Sequence, residues 1–364
     1  MYVILLVGLA LCMVTILYWI SGRWMISYGI HVKIRSVRLL RAAGSVLAAV
    51  FSIRWSIFGL IIAYLIALSL LAECIATAIR RAAGKYQEKS WYRRIRMFCC
   101  GGALPILLTC LVLGYGAWNM DHIVETEYTV VSDKLQSDYE VVLITDTHYG
   151  TIQNPDVLKE KINEINAVQP DLVILGGDIV EEGTSKDDMR EVFSLLGDLK
   201  STYGTFYVYG NHDRQYYMED RTYSDDELAQ SLEENGITAL SDQWVNLGDD
   251  LVLAGREDAE RPEGRDSLEK LLEGADRSRF LIVADHQPLE AEENAAQGVD
   301  LEVSGHTHAG QMFPVGYISE LSGTRNYGEY QEDSCRIIVS SGAAGVGFPL
   351  RTQERCEYVV IHLR

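Results

Sequence analysis

An uncharged apolar stretch at residues 2–20 places the strongest limit on what this chain of 364 residues can fold into. A helix of that length is about long enough to cross the hydrocarbon core of a bilayer. A cleaved secretory signal is the competing interpretation, but no basic segment precedes the stretch and no small-residue cleavage site follows it. The N-terminal part of the chain is therefore predicted to lie in a membrane.

Further apolar stretches continue to residue 118 and together predict about four membrane-spanning helices. Residues 39–79 are too many for one crossing, and Arg54 is predicted to form the turn between two crossings. The predicted transmembrane region, 1–120, has its spans at residues 2–20, 38–54, 57–79 and 97–118. A count of three spans is the alternative. Glu73 is the one acidic residue within a span and has no evident partner, which disfavours a transporter because transport pathways pair their buried charges.

Charge is divided unevenly along the chain, and the division indicates an orientation. Residues 1–120 contain 13 basic and two acidic residues, whereas residues 121–364 contain 19 basic and 49 acidic residues. The basic residues concentrate in segments 21–41 and 80–96, which lie on one side of the membrane if four helices cross it and on opposite sides if three do. Basic loops favour the cytoplasmic side, so everything after Trp118 is predicted to lie on the outer face of a cell membrane. The acidic remainder disfavours a nucleic-acid partner, because phosphate backbones attract basic surfaces.

From residue 139 onward, short apolar segments alternate with helical segments, which predicts α/β layering in one domain at 139–364. Residues 121–138 are interpreted as a linker. The predicted strands are 141–145, 172–175, 206–209, 251–254, 280–284 and 301–304, and the predicted helices are 155–168, 187–200, 225–235, 266–273 and 289–297. Residues 337–340 and 358–363 are predicted to pair as a closing antiparallel hairpin. Cys335 and Cys356 would then start at opposite ends of the pair, so no disulfide is expected between them.

Histidine, aspartate and asparagine side chains follow five of these predicted strands. They are Asp146, His148, Asp178, Asn211, His212, Asp213, His286, His306 and His308. Sites in open α/β sheets form beyond the carboxyl ends of the strands, so these side chains are expected to converge on one cleft. Two divalent ions about 3.5–4 Å apart can clamp a phosphoryl group and share a hydroxide between them. Such a pair needs a bridging carboxylate, for which Asp178 is the candidate. Mixed imidazole and carboxylate ligands suit Mn, with Fe or Zn as alternatives, better than Ca or Mg.

The order of these motifs resembles the calcineurin-like metallophosphoesterase superfamily, whose motifs read D-x-H, G-D, G-N-H-D/E, H and G-H-x-H. The run from Ser304 to Pro314 is also similar to the GHTHGGQ-x-x-P run of bacterial membrane-associated members, with Ala309 in place of the first glycine. The resemblance implies a four-layer α/β/β/α sandwich. It further implies that one metal is held by Asp146, His148, Asp178 and His308, and the other by Asp178, Asn211, His286 and His306.

Three further residues receive roles at this stage. The resemblance implies that His212 contacts the substrate phosphate and protonates the leaving oxygen, and that Asp213 orients its imidazole. Arg351 is a candidate phosphate contact, because a guanidinium matches phosphate oxygens, although a surface salt bridge is the alternative.

The sequence therefore predicts a membrane-anchored hydrolase in which a metal-bridging hydroxide attacks a phosphomonoester, phosphodiester or pyrophosphate. The expected substrate is a phosphorylated small molecule, lipid or envelope component. Location alone favours lipid and envelope substrates over cytosolic nucleotides, and makes membrane lipids neighbours of the protein. The alternative is a membrane sensor or scaffold that binds a phosphorylated ligand without turning it over. The complete ligand set disfavours that alternative. The sequence does not indicate an oligomeric state.

Overall fold

The computed structural model describes residues 2–52, 56–83 and 89–364, and these divide into two compact units. Unit 1 comprises residues 1–115 and unit 2 comprises residues 116–364. The turn predicted at Arg54 lies outside the described residues. Each unit has its own packing and is described separately.

Five helices precede the first strand. They are α1 (Tyr2–Ser27), α2 (Arg35–Ser52), α3 (Ile57–Ala83), α4 (Ser90–Cys100) and α5 (Ala103–Met120). Among the described residues, three stretches are long and apolar enough to cross a membrane: Gly8–Ser27, Ile57–Arg81 and Ala103–Met120. The second predicted span does form a helix, α2, but three arginines interrupt its apolar length. The last predicted span is also corrected, since Gly101 and Gly102 separate α4 from α5.

Three charged residues of unit 1, Arg23, Glu73 and Arg41, have partners on neighbouring helices. Arg23 of α1 donates two hydrogen bonds to Glu73 of α3, at 2.9 and 2.8 Å, so Glu73 is not isolated as the sequence suggested. Arg41 of α2 is buried, with its guanidinium 3.9 Å from the centre of the Tyr18 ring and a hydrogen bond to the Tyr18 carbonyl. The contacts of Arg41 hold α2 against α1.

Unit 2 contains two six-stranded sheets. The first has the strand order β1 (Ile123–Val130), β12 (Cys356–Leu363), β2 (Tyr139–Ile144), β3 (Leu172–Leu175), β4 (Thr205–Tyr207) and β5 (Ile237–Ala239). The second has the order β10 (Gly328–Glu332), β11 (Cys335–Val339), β9 (Leu301–Ser304), β8 (Phe280–Ala284), β7 (Leu251–Gly255) and β6 (Gln243–Leu247). Strands β2 to β5 run parallel, as do β7, β8, β9 and β11, so their carboxyl ends share one edge of each sheet.

Helices cover the outer face of each sheet, which confirms the α/β sandwich. Helices α6 (Pro155–Val168), α7 (Lys186–Leu196) and α8 (Asp225–Glu234) pack on the first sheet, and α9 (Leu268–Leu271) and α10 (Ala291–Ala296) pack on the second. Along β2, Val141 and Leu143 enter the core between the sheets, while Val142 and Ile144 face the helices. Alternate residues therefore serve two different cores, and the strand reads as an unbroken apolar run.

The helix starts follow from capping side chains near the predicted positions. The Asn154 side chain accepts a hydrogen bond from the Asp156 amide, and Pro155 occupies the first helical position of α6. Ser224 and Glu227 form a reciprocal capping box at the start of α8. These contacts satisfy amide groups that the first helical turn leaves without partners.

Two sequence-based interpretations of unit 2 are wrong. The segment 121–138 is not a linker, because residues 123–130 form β1 and pair in parallel with β12. Residues 337–340 and 358–363 do not form a hairpin either, since β11 belongs to the second sheet and β12 to the first. Cys335 and Cys356 consequently lie on different sheets, and both are buried free thiols.

Candidate metal centre

The seven predicted ligands all follow parallel strands and come together at the strand ends. The structure assembles six of them into two groups, Asp146 with His148 and His308, and Asp178 with His286 and His306. Within each group the candidate ligand atoms lie within 4.8 Å of one another. Asn211 joins the second group, with its Oδ1 atom 3.0 Å from Nδ1 of His306.

Asp178 lies between the two groups. Its Oδ2 atom is 3.1 Å from Nε2 of His286 and 3.9 Å from Nε2 of His148, and its Oδ1 atom accepts a hydrogen bond from the His212 amide. The carboxylate therefore faces both groups while its orientation is fixed from behind. This is the placement that a bridging ligand requires.

The imidazole rings are oriented as metal ligands usually are. Nδ1 of His286 lies 2.8 Å from the Gly176 carbonyl oxygen, and Nδ1 of His308 lies 3.1 Å from the Ala344 carbonyl oxygen. Nδ1 of His148 lies 3.0 Å from the Glu181 carboxylate. Because carbonyl oxygens accept, Nδ1 of His286 and Nδ1 of His308 carry the proton, and Nε2 of each ring is left for the site. Acceptors behind the ring set the tautomer of metal-bound histidines in this way.

The charges of the site fit a bound cation. Burial alone would raise the pKa of Asp146, but His308 and His286 hold it below its ordinary value. Burial alone would lower the pKa of His286, but Asp178 raises it well above its ordinary value. Burial lowers the pKa of His308 to about 3, so that ring is neutral, as a ligand must be. Buried carboxylates that attract positive charge, together with imidazole nitrogens, are the donor set of a metal centre.

Backbone strain concentrates at the ligands. Asp146, His148, Asp178, His306 and His308 all have positive φ angles, between 44° and 69°. Residues other than glycine rarely adopt this conformation, and the surrounding structure must hold each of them there. The close approach also requires glycine at two positions. A Cβ atom at Gly210 would lie 2.2 Å from Asp178 Oδ1, and one at Gly305 would lie 2.3 Å from Asp146 Oδ2.

His212 lies beside the two groups, but its partner is not the predicted one. Its Nδ1 atom is 2.6 Å from Oε2 of Glu182, and its ring centre is 5.4 Å from that of His148. Burial alone would lower the pKa of His212, but the hydrogen bond with Glu182 and the charge of Asp178 raise it to about 9. The side chain is 23% exposed, whereas that of Asp178 is 1% exposed, so an incoming molecule can reach His212.

Asp213 therefore does not orient His212, and that prediction is wrong. Its carboxylate accepts hydrogen bonds from the amides of Asp178, Ile179, Val180 and Gly210, at 2.6 to 3.2 Å. The oxygens of Asp213 thus point toward the loop after β3. The residue ties the two loops that carry Asp178 and Asn211 to each other.

The predicted role of Arg351 is also wrong. The side chain is fully buried and donates hydrogen bonds to the carbonyl oxygens of His308, Ser341 and Ala344. A guanidinium committed to three buried carbonyls does not face an incoming phosphate. Its position instead stabilises the loops around His308.

Sequence reasoning missed Glu181 and Glu182 as parts of the site. Both follow Asp178 closely, on the loop after β3, and each carboxylate contacts one histidine of the site. The available signal was their distance of three and four residues from Asp178. In a chain with 51 acidic residues that signal is weak.

Comparison with known proteins agrees with this geometry. Residues 139–310 match the family described as calcineurin-like phosphoesterase. An uncharacterised metallophosphoesterase of Helicobacter pylori is 34% identical over 242 residues, which cover 65% of this chain and 63% of that protein. A Bos taurus protein described as a transmembrane protein with metallophosphoesterase domain is 29% identical over 330 residues, or 83% of this chain and 72% of that protein.

A crystal structure of a dimetal phosphatase from Danio rerio aligns with 14% identity and a TM-score of 0.35, over 55% of this chain and 86% of that chain. This chain spans less than two thirds of the length of the Helicobacter relative. The family match over residues 139–310, the two-sheet sandwich and the two ligand groups together show that unit 2 is similar to calcineurin-like phosphoesterases.

Proposed function

We propose that this protein is a membrane-anchored, metal-dependent hydrolase of phosphoric esters. The observation that carries the proposal is the pair of ligand groups, of which Asp178 belongs to one and lies 3.9 Å from His148 of the other, with His212 accessible beside them. A single structural metal would need only one group and no exposed histidine. Two adjacent ligand groups suit two divalent ions, of which manganese is the first expectation and iron or zinc the alternatives.

The side chains of unit 2 would divide the work as follows. Asp146, His148, His308 and Asp178 would hold one ion, and Asp178, Asn211, His286 and His306 the other. Bound divalent ions supply Lewis acidity toward phosphate oxygens and make water a stronger nucleophile at neutral pH. His212 holds a proton toward the site and can deliver it to the leaving oxygen, while Glu182 fixes the ring from behind.

Membrane anchoring favours substrates that are themselves held at a membrane. A phosphorylated lipid or envelope component meets a tethered domain more often than a dilute soluble ester does. The side of the membrane on which unit 2 lies depends on whether α5 crosses the bilayer. Along the chain, α5 is the candidate span that follows the basic segment 80–96. If that segment is cytoplasmic and α5 crosses, unit 2 lies outside, whether three or four helices cross in total.

A single assay tests the proposed activity. The full-length protein, purified in mild detergent and loaded with Mn²⁺, should hydrolyse bis-p-nitrophenyl phosphate. His212→Ala should lower kcat by about 10²–10⁴-fold, the usual contribution of a general acid, with bound metal unchanged. His122→Ala is the matched control, since His122 is exposed and is not among the residues of the site.

Two results would contradict the proposal. Metal binding without turnover of monoester, diester or pyrophosphate probes would favour the alternative of a binding-only sensor. Loss of metal in His212→Ala would show that this histidine is a ligand and not a proton donor.

Protease treatment of intact cells tests the orientation. Cleavage of unit 2 from outside, with a cytoplasmic marker protein left whole, is expected. Protection of unit 2 until the cells are lysed would place it inside the cell. The substrate would then have to lie on the cytoplasmic side of the membrane.

A further inference from the structure

One short segment of unit 2 exposes an unusual number of large apolar side chains. This apolar segment, residues 313–321, contains α11 (Val315–Leu321), in which Gly316 is the buried residue. Its exposed fractions are 54% at Phe313, 45% at Val315, 48% at Tyr317, 57% at Ile318 and 89% at Leu321. Helices of soluble domains normally turn such residues inward.

The apolar segment stands out from the rest of unit 2. The other exposed large apolar residues there are Trp118, Val131, Tyr217, Met218 and Leu289. Half of the set therefore lies within nine consecutive residues, in which Glu320 is the single charged residue. A contiguous exposed apolar patch commonly marks an interaction surface.

Contacts within unit 2 join the apolar segment to the end of a candidate membrane span. The hydroxyl of Thr352 accepts a hydrogen bond from the Phe313 amide at 3.0 Å, and the side chain of Gln353 accepts one from the Gly316 amide at 3.0 Å. On its other side, Thr352 meets Gly116 of α5, where a Cβ atom would lie 2.8 Å from Thr352 Cγ2.

Residues 351–354, which include Thr352 and Gln353, form three hydrogen bonds with α5. The Arg351 amide donates to the Gly116 carbonyl at 3.0 Å, and the Asn119 side chain donates to the carbonyls of Arg351 and Glu354 at 3.1 and 2.6 Å. Gly116 and Asn119 both lie inside the candidate span Ala103–Met120. Thr352 therefore lies between the apolar segment and α5, a helix that is long and apolar enough to cross a bilayer.

We propose that the apolar segment inserts into the interfacial layer of the bilayer that α5 crosses. The occupant of this surface is a phospholipid membrane. A helix with an exposed apolar face can lie at the boundary between headgroups and acyl chains. Tyr317, with Trp118 on α5, matches the enrichment of Trp and Tyr at membrane interfaces.

The proposal places the candidate metal centre beside the lipid headgroups. His308 precedes Phe313 by five residues, and Gln311 between them accepts hydrogen bonds at its carbonyl oxygen from the amides of Thr352 and Gln353. Membrane contact by the apolar segment would thus hold the ligand loop at the lipid boundary. The contact itself does not depend on the proposed hydrolase activity.

Photo-cross-linking of the full-length protein in phosphatidylcholine and phosphatidylglycerol liposomes tests this contact. The photoreactive residue p-benzoylphenylalanine replaces Ile318 in one variant and Leu321 in a second. Val131 is the matched control position, because it is also an apolar residue of unit 2 and is 73% exposed. Lipid adducts are then quantified by mass spectrometry after irradiation.

Several-fold more lipid adduct at positions 318 and 321 than at 131 is the expected result. Equal yields at all three positions, or no lipid adduct at 318 and 321, would overturn the proposal. Cross-links at 318 to a second copy of the chain in place of lipid would also overturn it, because they would assign the surface to an interface between copies.

Discussion

Asp178 is the residue on which both candidate metal positions depend. Asp178→Asn keeps the size of the side chain but removes the charge that faces both ligand groups. We expect bound metal to fall from about two ions per chain toward none, and hydrolysis to fall with it. Elemental analysis and the phosphodiester assay measure both. Asp187→Asn, an exposed change on α7, is the control, and full activity in Asp178→Asn would rule out the dinuclear mechanism.

Glu182 should act through His212 and not through metal. Glu182→Ala removes the hydrogen-bond acceptor behind the His212 ring, so kcat should fall. The loss should be smaller than that expected for His212→Ala, which is about 10²–10⁴-fold. Glu182→Gln keeps an oxygen at the same place and should recover part of the loss. Steady-state kinetics and metal analysis check the order. Glu160→Ala, at an exposed position of α6, is the control. An unchanged kcat in Glu182→Ala would show that Glu182 does not position His212.

At the residue scale, the sequence predicts ligands better than it predicts their supports. The candidate ligand set could be predicted because each member follows an apolar strand, and parallel strand ends meet in space. Glu182 and Arg351 carry no comparable local mark. Their roles depend on which loop folds over which, so only the structure distinguishes a buried arginine from a phosphate contact.

Among the elements, the loop from residue 341 to 344 depends on Arg351. A hydrogen bond that involves a charged group contributes about 1.5–3 kcal/mol, and Arg351 donates to three buried carbonyls. Arg351→Met should therefore lower the thermal unfolding midpoint by many degrees. Thermal denaturation of the detergent-solubilised protein measures this, with the exposed Arg355→Met as control. A normal midpoint with a raised KM would instead restore the predicted phosphate contact.

Element positions follow from local sequence, whereas their pairing does not. Helix α6 spans the predicted residues, and β3, β8 and β9 lie where the apolar runs predict. The exception is the pairing of β12, which lies in the first sheet between β1 and β2 and not beside β11 as predicted. One neighbour of β12 is β1, which the sequence does not reveal as a strand. Exposed side chains, among them two glutamates, alternate with half-buried ones between Ile123 and Val130, so no apolar run marks it.

At the scale of the whole molecule, one buried carboxyl makes stability depend on pH. Burial and the charge of Asp285 raise the pKa of Glu302 to about 7, from an ordinary value of 4.5. The folded state thus favours the protonated form. Its stabilising contribution is complete below about pH 4.5 and is lost as pH rises through about 7, with a loss of about 3 kcal/mol.

Glu302→Gln should remove this dependence. The amide stays neutral and can still accept from Ser304 or Asn294, which donate to Glu302 at 2.9 and 2.7 Å. Unfolding midpoints measured between pH 5 and 8 should therefore decline less steeply in the variant than in the wild type. The exposed Glu292→Gln is the control, and parallel curves for wild type and Glu302→Gln would refute the expected titration.

The division of charge along the chain also belongs to this scale. The acidic surface of unit 2 gives little information about its centre, because few of its carboxylates reach the ligand groups. Bound divalent ions would reverse the local sign and attract anions. The division of charge therefore carries a prediction about the orientation of the membrane region and none about the chemistry of the site.

The position of β12 has a consequence for the synthesis of the protein. It pairs with β1 on one side and β2 on the other, although it follows every other described strand in the chain. Until residues 356–363 leave the ribosome, β1 and β2 must each present an open edge with unpaired amides and carbonyls. The nascent domain would then carry two unpaired strand edges while the residues between β2 and β12 are synthesised, and a chaperone that shields strand edges is expected to raise its yield.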